Sequence, residues 1–274
     1  MKDVAFGQYL PHESFVHKMD ARVKILAVIA YIVAVFLVQS FHFLGFGACL
    51  LFVAIATAFA KVPFFRVLKS IKGIIFFIVL SAVLQVFFNT QGKVLLDWSF
   101  LKITDYGLLN AGFITARITL IVLGASLLTL TTSPVELADG IESLMSPLKY
   151  IKFPVHEFAL IMSIALRFIP TLLDETDRII KAQKARGADF DSGNIFKRAK
   201  ALIPVLIPLL ISSFRRADEL ADAMDARCYS GSKVRTKFKK MRVGWRDLLG
   251  TVALAGLIVG VVFLNKFYIV LAVA

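Results

Sequence analysis

One long stretch of the chain, residues 26–60, contains no Lys, Arg, Asp or Glu. As a single helix rising 1.5 Å per residue it would be about 52 Å long, nearly twice the roughly 30 Å hydrocarbon core of a bilayer. We therefore predict two short membrane spans that fold back near residues 40–47, where His42, Gly45 and Gly47 lie close together. Such a stretch is typical of an integral membrane protein.

Three further apolar runs complete the predicted membrane part of the chain. They cover residues 73–88, 112–132 and 248–274, in a chain of 274 residues of which 58% are hydrophobic. We expect an all-α integral membrane protein with about five clear transmembrane helices. The N-terminal membrane domain, residues 1–132, would hold four spans at about 25–40, 43–60, 73–89 and 112–132. A C-terminal transmembrane helix would occupy residues 246–274.

The distribution of basic residues predicts the orientation of these spans. The segment 61–72 carries four basic residues and no acidic one, whereas 89–111 carries two Lys and two Asp. The positive-inside rule then places the N-terminus and residues 61–72 in the cytoplasm, and residues 89–111 and the C-terminus outside the cell membrane. We assign the net charge of +13 to this topology and to attraction by anionic membrane lipid, not to nucleic acid.

Residues 133–245 are predicted to form a cytoplasmic or interfacial coupling region with two long helices, ending near residues 187 and 228. Each helix begins with about 15 mostly apolar residues and then becomes amphipathic, which is short for a membrane span. We therefore expect each helix to start at the inner membrane face and to extend into the cytoplasm. The sequence leaves open whether one or both apolar starts cross the bilayer.

The two predicted helices end in a repeated motif, Ala-x-x-Ala-Arg, at residues 182–186 and 223–227. In each copy the first Ala lies one helical turn before the Arg, on the same face. Small residues around a long cation let another protein approach while the guanidinium reaches a carboxylate or a carbonyl. The plainer alternative is that each Arg complements a helix dipole, which is worth about 0.3–1 kcal/mol. The candidate docking residues are Ala182, Ala185, Arg186, Gly187, Ala223, Ala226, Arg227 and Cys228.

The same offset of 41 residues relates six charged positions ahead of the motif, and five of them carry opposite charges. Asp174, Glu175, Arg178, Lys181 and Lys184 correspond, in that order, to Arg215, Arg216, Glu219, Asp222 and Asp225. Two helices patterned in this way are expected to pair side by side, with each exposed contact worth under about 1 kcal/mol. We therefore predict a crossed helix pair that holds the two Arg ends at a fixed separation.

Polar residues inside the predicted spans are candidates for contacts between membrane helices. Ser81, Gln85 and Asn89 form a stripe at four-residue spacing on the third span. Such stripes usually bond neighbouring helices, and contact with a separate membrane subunit is the alternative function. Arg117 in the fourth span is expected to reach the interface or to pair with this stripe.

The sequence carries no motif for catalysis or for metal binding. It contains no G-x-x-x-x-G-K-[ST] motif for nucleotide phosphates and no Cys/His cluster for a metal. We expect no enzyme activity, no metal site and no cofactor bound by this chain.

Four segments resemble the transmembrane (T) component of energy-coupling factor transporters, the vitamin-importing relatives of ABC transporters. They are SFVHKMDARVKIL at 14–26, TLTTSPVELADGIESLMSPLKYI at 129–151, LRFIPTLLDETDRIIKAQKARG at 166–187 and IPLLISSFRRADELADAMDARCY at 207–229. The resemblance implies a scaffold that joins two cytoplasmic ATPase subunits to a small membrane subunit that binds the substrate. ATP and Mg would be bound by the ATPases.

Within this resemblance, Arg186 and Arg227 would each dock in a groove of one ATPase. ATP binding would draw the ATPases together, and the docked helices would carry this motion to the substrate-binding subunit. Cys228 stands where the family's second motif has Gly, which leaves open whether both helices end alike.

Two other transport functions are alternatives. A conventional ABC importer permease, which forms its own substrate path, would share helices that couple to ATPases. A secondary transporter is less favoured, because the apolar runs contain no Asp or Glu for ion coupling.

Overall fold

The computed structural model describes residues 9–10, 12–38, 43–88, 93–98, 101–151, 153–190, 194–229 and 244–273. Helices dominate these residues. The elements are α1 Ala21–Leu37, α2 Phe43–Phe59, α3 Phe64–Ile71, α4 Ile75–Phe88, β1 Val94–Trp98, β2 Leu101–Thr104, α5 Asp105–Thr131, α6 Pro134–Leu144, a 3-10 helix Ser146–Ile151, α7 Val155–Ala185, α8 Ile195–Ala226 and α9 Trp245–Val273.

The chain divides into two compact units. The arm unit contains α7 and α8, within residues 152–240. The bundle unit contains the other elements, within residues 7–151 and 241–274.

The predicted all-α class is confirmed, with one short addition in the bundle unit. Strands β1 and β2 form an antiparallel hairpin in the segment predicted to be an outer loop, with Trp98 opposite Leu101. Helix α5 therefore begins at Asp105 and not near residue 112, and the hydroxyl of Thr104 caps it by accepting a hydrogen bond from Gly107 N at 3.1 Å.

The first two predicted spans correspond to α1 and α2, each of 17 residues. Asp20 caps α1, since its side chain accepts a hydrogen bond from Arg22 N at 2.9 Å. The fold-back predicted near residues 40–47 lies partly outside the described residues. The start of α2 packs tightly on the end of α1, because a Cβ on Gly45 would lie only 2.8 Å from a methyl group of Val38.

The third predicted span, about 73–89, corresponds to α4, and the short helix α3 precedes it in the segment predicted to be a cytoplasmic loop. Helices α3 and α4 are bent by 59° at a break that contains Gly73, and the two together are apolar enough to form one broken span or a re-entrant loop. The basic residues Arg66 and Lys69 lie on α3, so the break separates the charged helix from the uncharged α4. The apolar run of the sequence therefore matches α4 alone, and the helix before the break was not predicted.

Three described helices are individually long and apolar enough to cross a membrane: α5, α7 and residues 245–266 of α9. Helices α5 and α9 match predicted spans. Helix α7, for which the sequence left crossing open, also satisfies this criterion of length and composition.

The core of the bundle unit lies where α1, α2, α5 and α9 pack together. Tyr31 of α1 is buried and donates a hydrogen bond from its hydroxyl to Leu120 O of α5 at 3.4 Å. Its ring lies against Gly124, where a side chain would collide with it. Large apolar side chains such as Phe36, Phe65, Phe76 and Phe88 are instead exposed, which suits a surface that faces lipid.

Candidate docking site on the arm helices

Helices α7 and α8 run antiparallel in the arm unit. Glu175 of α7 meets Arg216 of α8, and eight residues further along α7 the side chain of Gln183 reaches back to Pro204 O at 3.4 Å. That carbonyl is available because Pro208, four residues later, has no N–H to bond it. Since the partner positions fall as the α7 positions rise, the two C-terminal ends point in opposite directions along the pair.

The C-terminus of α7 is closed by a Schellman motif. Gly187 N donates to Lys184 O at 3.0 Å, and Ala188 N donates to Gln183 O at 3.0 Å. This pairing needs a left-handed residue after the helix, and Gly187 supplies it with φ of +88°. Arg186 is thereby fixed as the last residue before the chain reverses.

The C-terminus of α8 has the same cap, although Cys228 replaces the glycine. Cys228 N donates to Asp225 O at 2.9 Å, and Tyr229 N donates to Met224 O at 3.0 Å. Cys228 adopts φ of +56°, a left-handed conformation that costs a residue with a side chain about 1–2 kcal/mol. Both arms therefore end alike, which answers the question that the substitution raised.

Both motif arginines project from these caps into open space. Arg186 and Arg227 are exposed, as are the four alanines of the two motifs. Neither guanidinium forms an ion pair or a side-chain hydrogen bond with any residue that the structure describes. Each arm thus presents a free cation on a surface of small residues, a shape that another protein can approach closely.

One of the five sign-reversed charge pairs is joined. Arg216 Nη2 donates to Glu175 Oε2 at 2.7 Å, with about a quarter of each side chain exposed. The two residues are separated by 41 positions, the offset of the repeat. A charge-assisted hydrogen bond of this length therefore links the two arms at equivalent positions.

The other four pairs are not joined within the described arm helices. No ion pair links Asp174 to Arg215, Arg178 to Glu219, Lys181 to Asp222 or Lys184 to Asp225. The reason is the antiparallel direction. In an antiparallel pair, residue numbers rise along α7 while those of the facing residues on α8 fall. Residues that are 41 positions apart therefore face each other at one point only.

The Glu175–Arg216 pair lies at the centre of an approximate twofold arrangement. Arg186 follows Glu175 by eleven residues, and Arg227 follows Arg216 by eleven. At 1.5 Å per residue each Arg lies about 16 Å along its helix from the ion pair, so the two ends lie as much as about 33 Å apart. The repeat therefore places two equivalent cations at opposite ends of one rigid pair.

A cavity of about 380 Å³ lies between the arms near the ion pair. Apolar side chains line most of it, and Arg216 and Asp225 border it. Sequence reasoning missed Met224 and Tyr229, which close the α8 cap and line this cavity. The signal was available, because an apolar pair at these two positions of a Schellman motif commonly forms a contact.

The polar stripe on α4 makes one described contact between helices. Gln85 Oε1 accepts a hydrogen bond from Asn110 Nδ2 of α5 at 3.2 Å. Ser81 is half-buried, and Asn89 lies outside the described residues. Gln85 thus bonds a neighbouring helix of its own chain.

Arg117 pairs with the end of α1 and not with the stripe. Its Nη2 donates to Val38 O at 2.6 Å, and its guanidinium lies 5.8 Å from the centre of the Phe46 ring. Asn265 Nδ2 of α9 donates to the adjacent Leu37 O at 2.7 Å. Side chains from two other helices therefore satisfy the carbonyls that α1 leaves free at its C-terminus.

Among the described residues, no group of three or more His, Cys, Asp or Glu side chains is placed to hold a metal ion. The two cysteines are free, with Cys49 buried in α2 and Cys228 exposed at the end of α8.

The fold and the arm helices define a class: a multi-pass membrane protein with two antiparallel helices that end in exposed, equivalent arginines. The chain matches the cobalt transport protein family, CbiQ, over residues 12–238. The energy-coupling factor transporter transmembrane protein EcfT of Clostridium kluyveri is 49% identical over 252 residues, 92% of this chain and 93% of the relative.

Two further relatives carry the same name. The protein of Acidaminococcus fermentans is 49% identical over 265 residues, which covers 97% of this chain and 98% of the relative. That of Listeria innocua is 45% identical over 261 residues, covering 94% and 98%. The chain therefore belongs to the family of energy-coupling factor transporter transmembrane proteins.

Proposed function

We propose that this chain is the membrane scaffold of an importer, in which two cytoplasmic ATPase subunits grip the arm ends at Arg186 and Arg227. A small substrate-binding membrane subunit completes the complex. The ATPases bind ATP and Mg, and this chain transmits their motion for uptake of a vitamin or another micronutrient. The proposal places the complex in the cell membrane, with the N-terminus in the cytoplasm and the C-terminus outside.

The single observation that carries the proposal is the equivalence of the two arm ends. The same backbone cap holds an exposed arginine on each arm, in spite of different residues at positions 187 and 228. Two equivalent ends related by a twofold suit two homologous partners better than one substrate, which would need a single concave site.

The alternative that each Arg only complements its own helix dipole predicts a small role in stability. That effect needs a charge near the last turn, and it does not need open space around the guanidinium. A docking role needs the charge and the open space together, and each guanidinium group is exposed among small residues. An arginine at the centre of a protein interface commonly contributes about 2 kcal/mol or more to binding.

The test is co-purification of the ATPases with variants of this chain. The double variant Arg186→Ala/Arg227→Ala should weaken the binding of each ATPase by about 30-fold, since each end acts separately and each lost anchor is worth about 2 kcal/mol. Retention is measured by titrating the purified ATPases onto this chain in nanodiscs. Nucleotide binding by the isolated ATPases, measured in parallel, should not change.

The matched control is the double variant Arg178→Ala/Arg215→Ala. It removes two exposed arginines from the same two helices, away from the caps. We expect ATPase retention close to that of the unaltered chain. Equal losses in the two double variants would show a general effect of charge and would contradict docking at the motif arginines.

A further inference from the structure

Lys24 is a buried cation at the N-terminal end of α1. Only 4% of the residue is exposed, and its Nζ donates hydrogen bonds to His17 O and Thr131 O, each at 3.1 Å. It precedes the uncharged stretch that begins at residue 26. The carboxylates of Glu136, Asp247 and Asp20 lie close enough to attract its charge.

The bond to Thr131 fixes the end of α5. Thr131 is the last residue of that helix, and its carbonyl is one of those that no helical N–H can reach. A cation at this position also complements the helix dipole. Lys24 therefore ties the start of α1 to the junction from which α6 begins three residues later.

A buried carboxylate ties the start of α1 to α9. Asp247 is 3% exposed, and its Oδ1 accepts a hydrogen bond from Asp20 N at 2.8 Å. Its Oδ2 accepts one from Gly244 N at 2.7 Å, at the start of α9. A single side chain thus holds the first turns of two helices together.

Close packing reinforces both ties. A Cβ on Gly140 of α6 would lie 3.1 Å from Ile25 Cδ1 and 3.2 Å from Ala21 Cβ, so α6 rests directly on the first turn of α1. On the α9 side, a Cβ on Gly250 would collide with Met19. We call Met19, Asp20, Ala21, Lys24 and Ile25 the α1 anchor.

The α1 anchor contacts the two elements of the bundle unit that lie next to the arm unit along the chain, α6 and α9. The chain leaves the bundle unit for α7 after α6 and the 3-10 helix, and it returns from α8 to the start of α9. Both α6 and the first turn of α9 are fixed to the same turn of α1. A displacement of the arms therefore has two covalent routes into the bundle unit, and both are attached to one set of residues.

We propose that Lys24 is a positioning residue for energy coupling, which keeps α6 and α9 attached to the start of α1 so that motion of the arms displaces them together. The proposal rests on the proposed function, because it requires ATPases that move the arms. Lys24 touches neither nucleotide nor substrate in this account. Its removal should disconnect the bundle unit from the arms without releasing the ATPases.

The experiment uses the whole transporter complex, purified with its partners through a tag on this chain and placed in lipid nanodiscs. Hydrogen–deuterium exchange is measured without nucleotide and with MgATP plus orthovanadate. In the unaltered complex, nucleotide should change exchange at residues 182–188 and 223–229 and also at 134–151 and 244–254. In Lys24→Met the change at the arm ends should persist, whereas the change in the bundle segments should fall at least about threefold.

Two controls separate positioning from general stability. Tyr31→Phe removes another hydrogen bond from α1 to a backbone carbonyl of α5, away from the anchor, and should respond like the unaltered chain. Lys24→Arg keeps the cation and should restore most of the response in α6 and α9. If Tyr31→Phe loses the response as Lys24→Met does, the loss reflects a loosened bundle and the proposal is wrong.

The remaining outcomes each decide a different point. A response in Lys24→Met equal to that of the unaltered complex overturns the role of Lys24. If Lys24→Met does not assemble, Gly140→Ala replaces it, because the added methyl group pushes α6 from Ala21 and Ile25. A normal response in Gly140→Ala then overturns the proposal. Nucleotide-dependent change that stops at the arm ends of the unaltered complex also overturns it, whereas no change at the arm ends contradicts the proposed function itself.

Discussion

Reversing the charges of Glu175 and Arg216 tests the register of the two arm helices. Their charged atoms lie 2.7 Å apart, with 28% and 26% of the side chains exposed. Exposed ion pairs are worth under about 1 kcal/mol, and hydrogen bonds to charged groups about 1.5–3 kcal/mol. A partly buried pair should lie between these limits, so we expect a coupling energy of about 1–2 kcal/mol.

The single variants Glu175→Arg and Arg216→Glu should each lower the free energy of unfolding, because each places two like charges at the crossing. The double variant, with the charges exchanged, should recover most of the loss. Unfolding of the purified protein gives the four free energies of a double-mutant cycle, and their combination isolates the interaction between the two side chains.

The matched control is the same exchange at Arg178 and Glu219, which have the same offset of 41 residues but do not form an ion pair. Their coupling energy should stay below about 0.5 kcal/mol. Equal coupling at both pairs would mean that the arms lie in parallel register and would refute the antiparallel arrangement. No coupling at Glu175 and Arg216 would refute the link between the arms.

Three further substitutions test local features of the arm and bundle units. Cys228→Gly should raise the free energy of unfolding by about 0.5–1 kcal/mol, since it removes the cost of a left-handed residue but adds chain entropy to the unfolded state. The converse change Gly187→Ala should lower the free energy of unfolding by about 1 kcal/mol. Effects of the same size from exchanges between Gly and a larger residue at other exposed loop positions would count against this explanation. Gly124→Ala should lower the free energy of unfolding by about 1–3 kcal/mol, because the new methyl group overlaps the Tyr31 ring. Thermal and denaturant unfolding measure all three, and an unchanged stability in Gly124→Ala would contradict the close packing of α1 on α5.

The sequence predicts the positions of the arm ends well, because the repeated motif and the turn after it are local signals. A repeated Ala-x-x-Ala-Arg before a turn fixes a helix end within a few residues, and α7 and α8 end at Ala185 and Ala226. The cap at Cys228 could not be predicted in the same way. A cysteine rarely adopts a left-handed conformation, and the backbone hydrogen bonds that stabilise it are visible only in the structure.

The pairing of charges could be predicted only in part, because a sequence offset carries no direction. In a parallel register, all five reversed pairs could form contacts. In the antiparallel register only the residues at the crossing face each other, and these are Glu175 and Arg216. The buried roles of Lys24 and Asp247 were missed for a related reason. In the sequence both look like charged residues that flank apolar runs. Lys24 bonds Thr131, which is 107 positions away, and Asp247 bonds Asp20, which is 227 positions away.

The break between α3 and α4 and the hairpin after α4 were also missed. Apolar counting treats residues 73–89 as one span, and it does not detect that a short amphipathic helix before Gly73 lies at an angle to it. The hairpin occupies a loop whose Trp98, Ile103 and Thr104 favour strands, a signal too short to stand out beside the long helices.

The arms combine equal backbone geometry with opposite charge. Residues 177–186 of α7 carry four cations and one carboxylate, whereas residues 218–227 of α8 carry four carboxylates and one cation. At the crossing this reversal is required, since identical residues there would place like charges 2.7 Å apart. Among the residues that the structure describes, the other four reversed pairs are not joined to each other, and all eight of their residues are exposed. The ends lie as much as about 33 Å apart, well beyond the roughly 8 Å screening length of physiological salt, so each arm acts on its surroundings separately. A charged surface that attracts the α7 arm will therefore repel the α8 arm, although the two arms end in the same exposed arginine and the same cap.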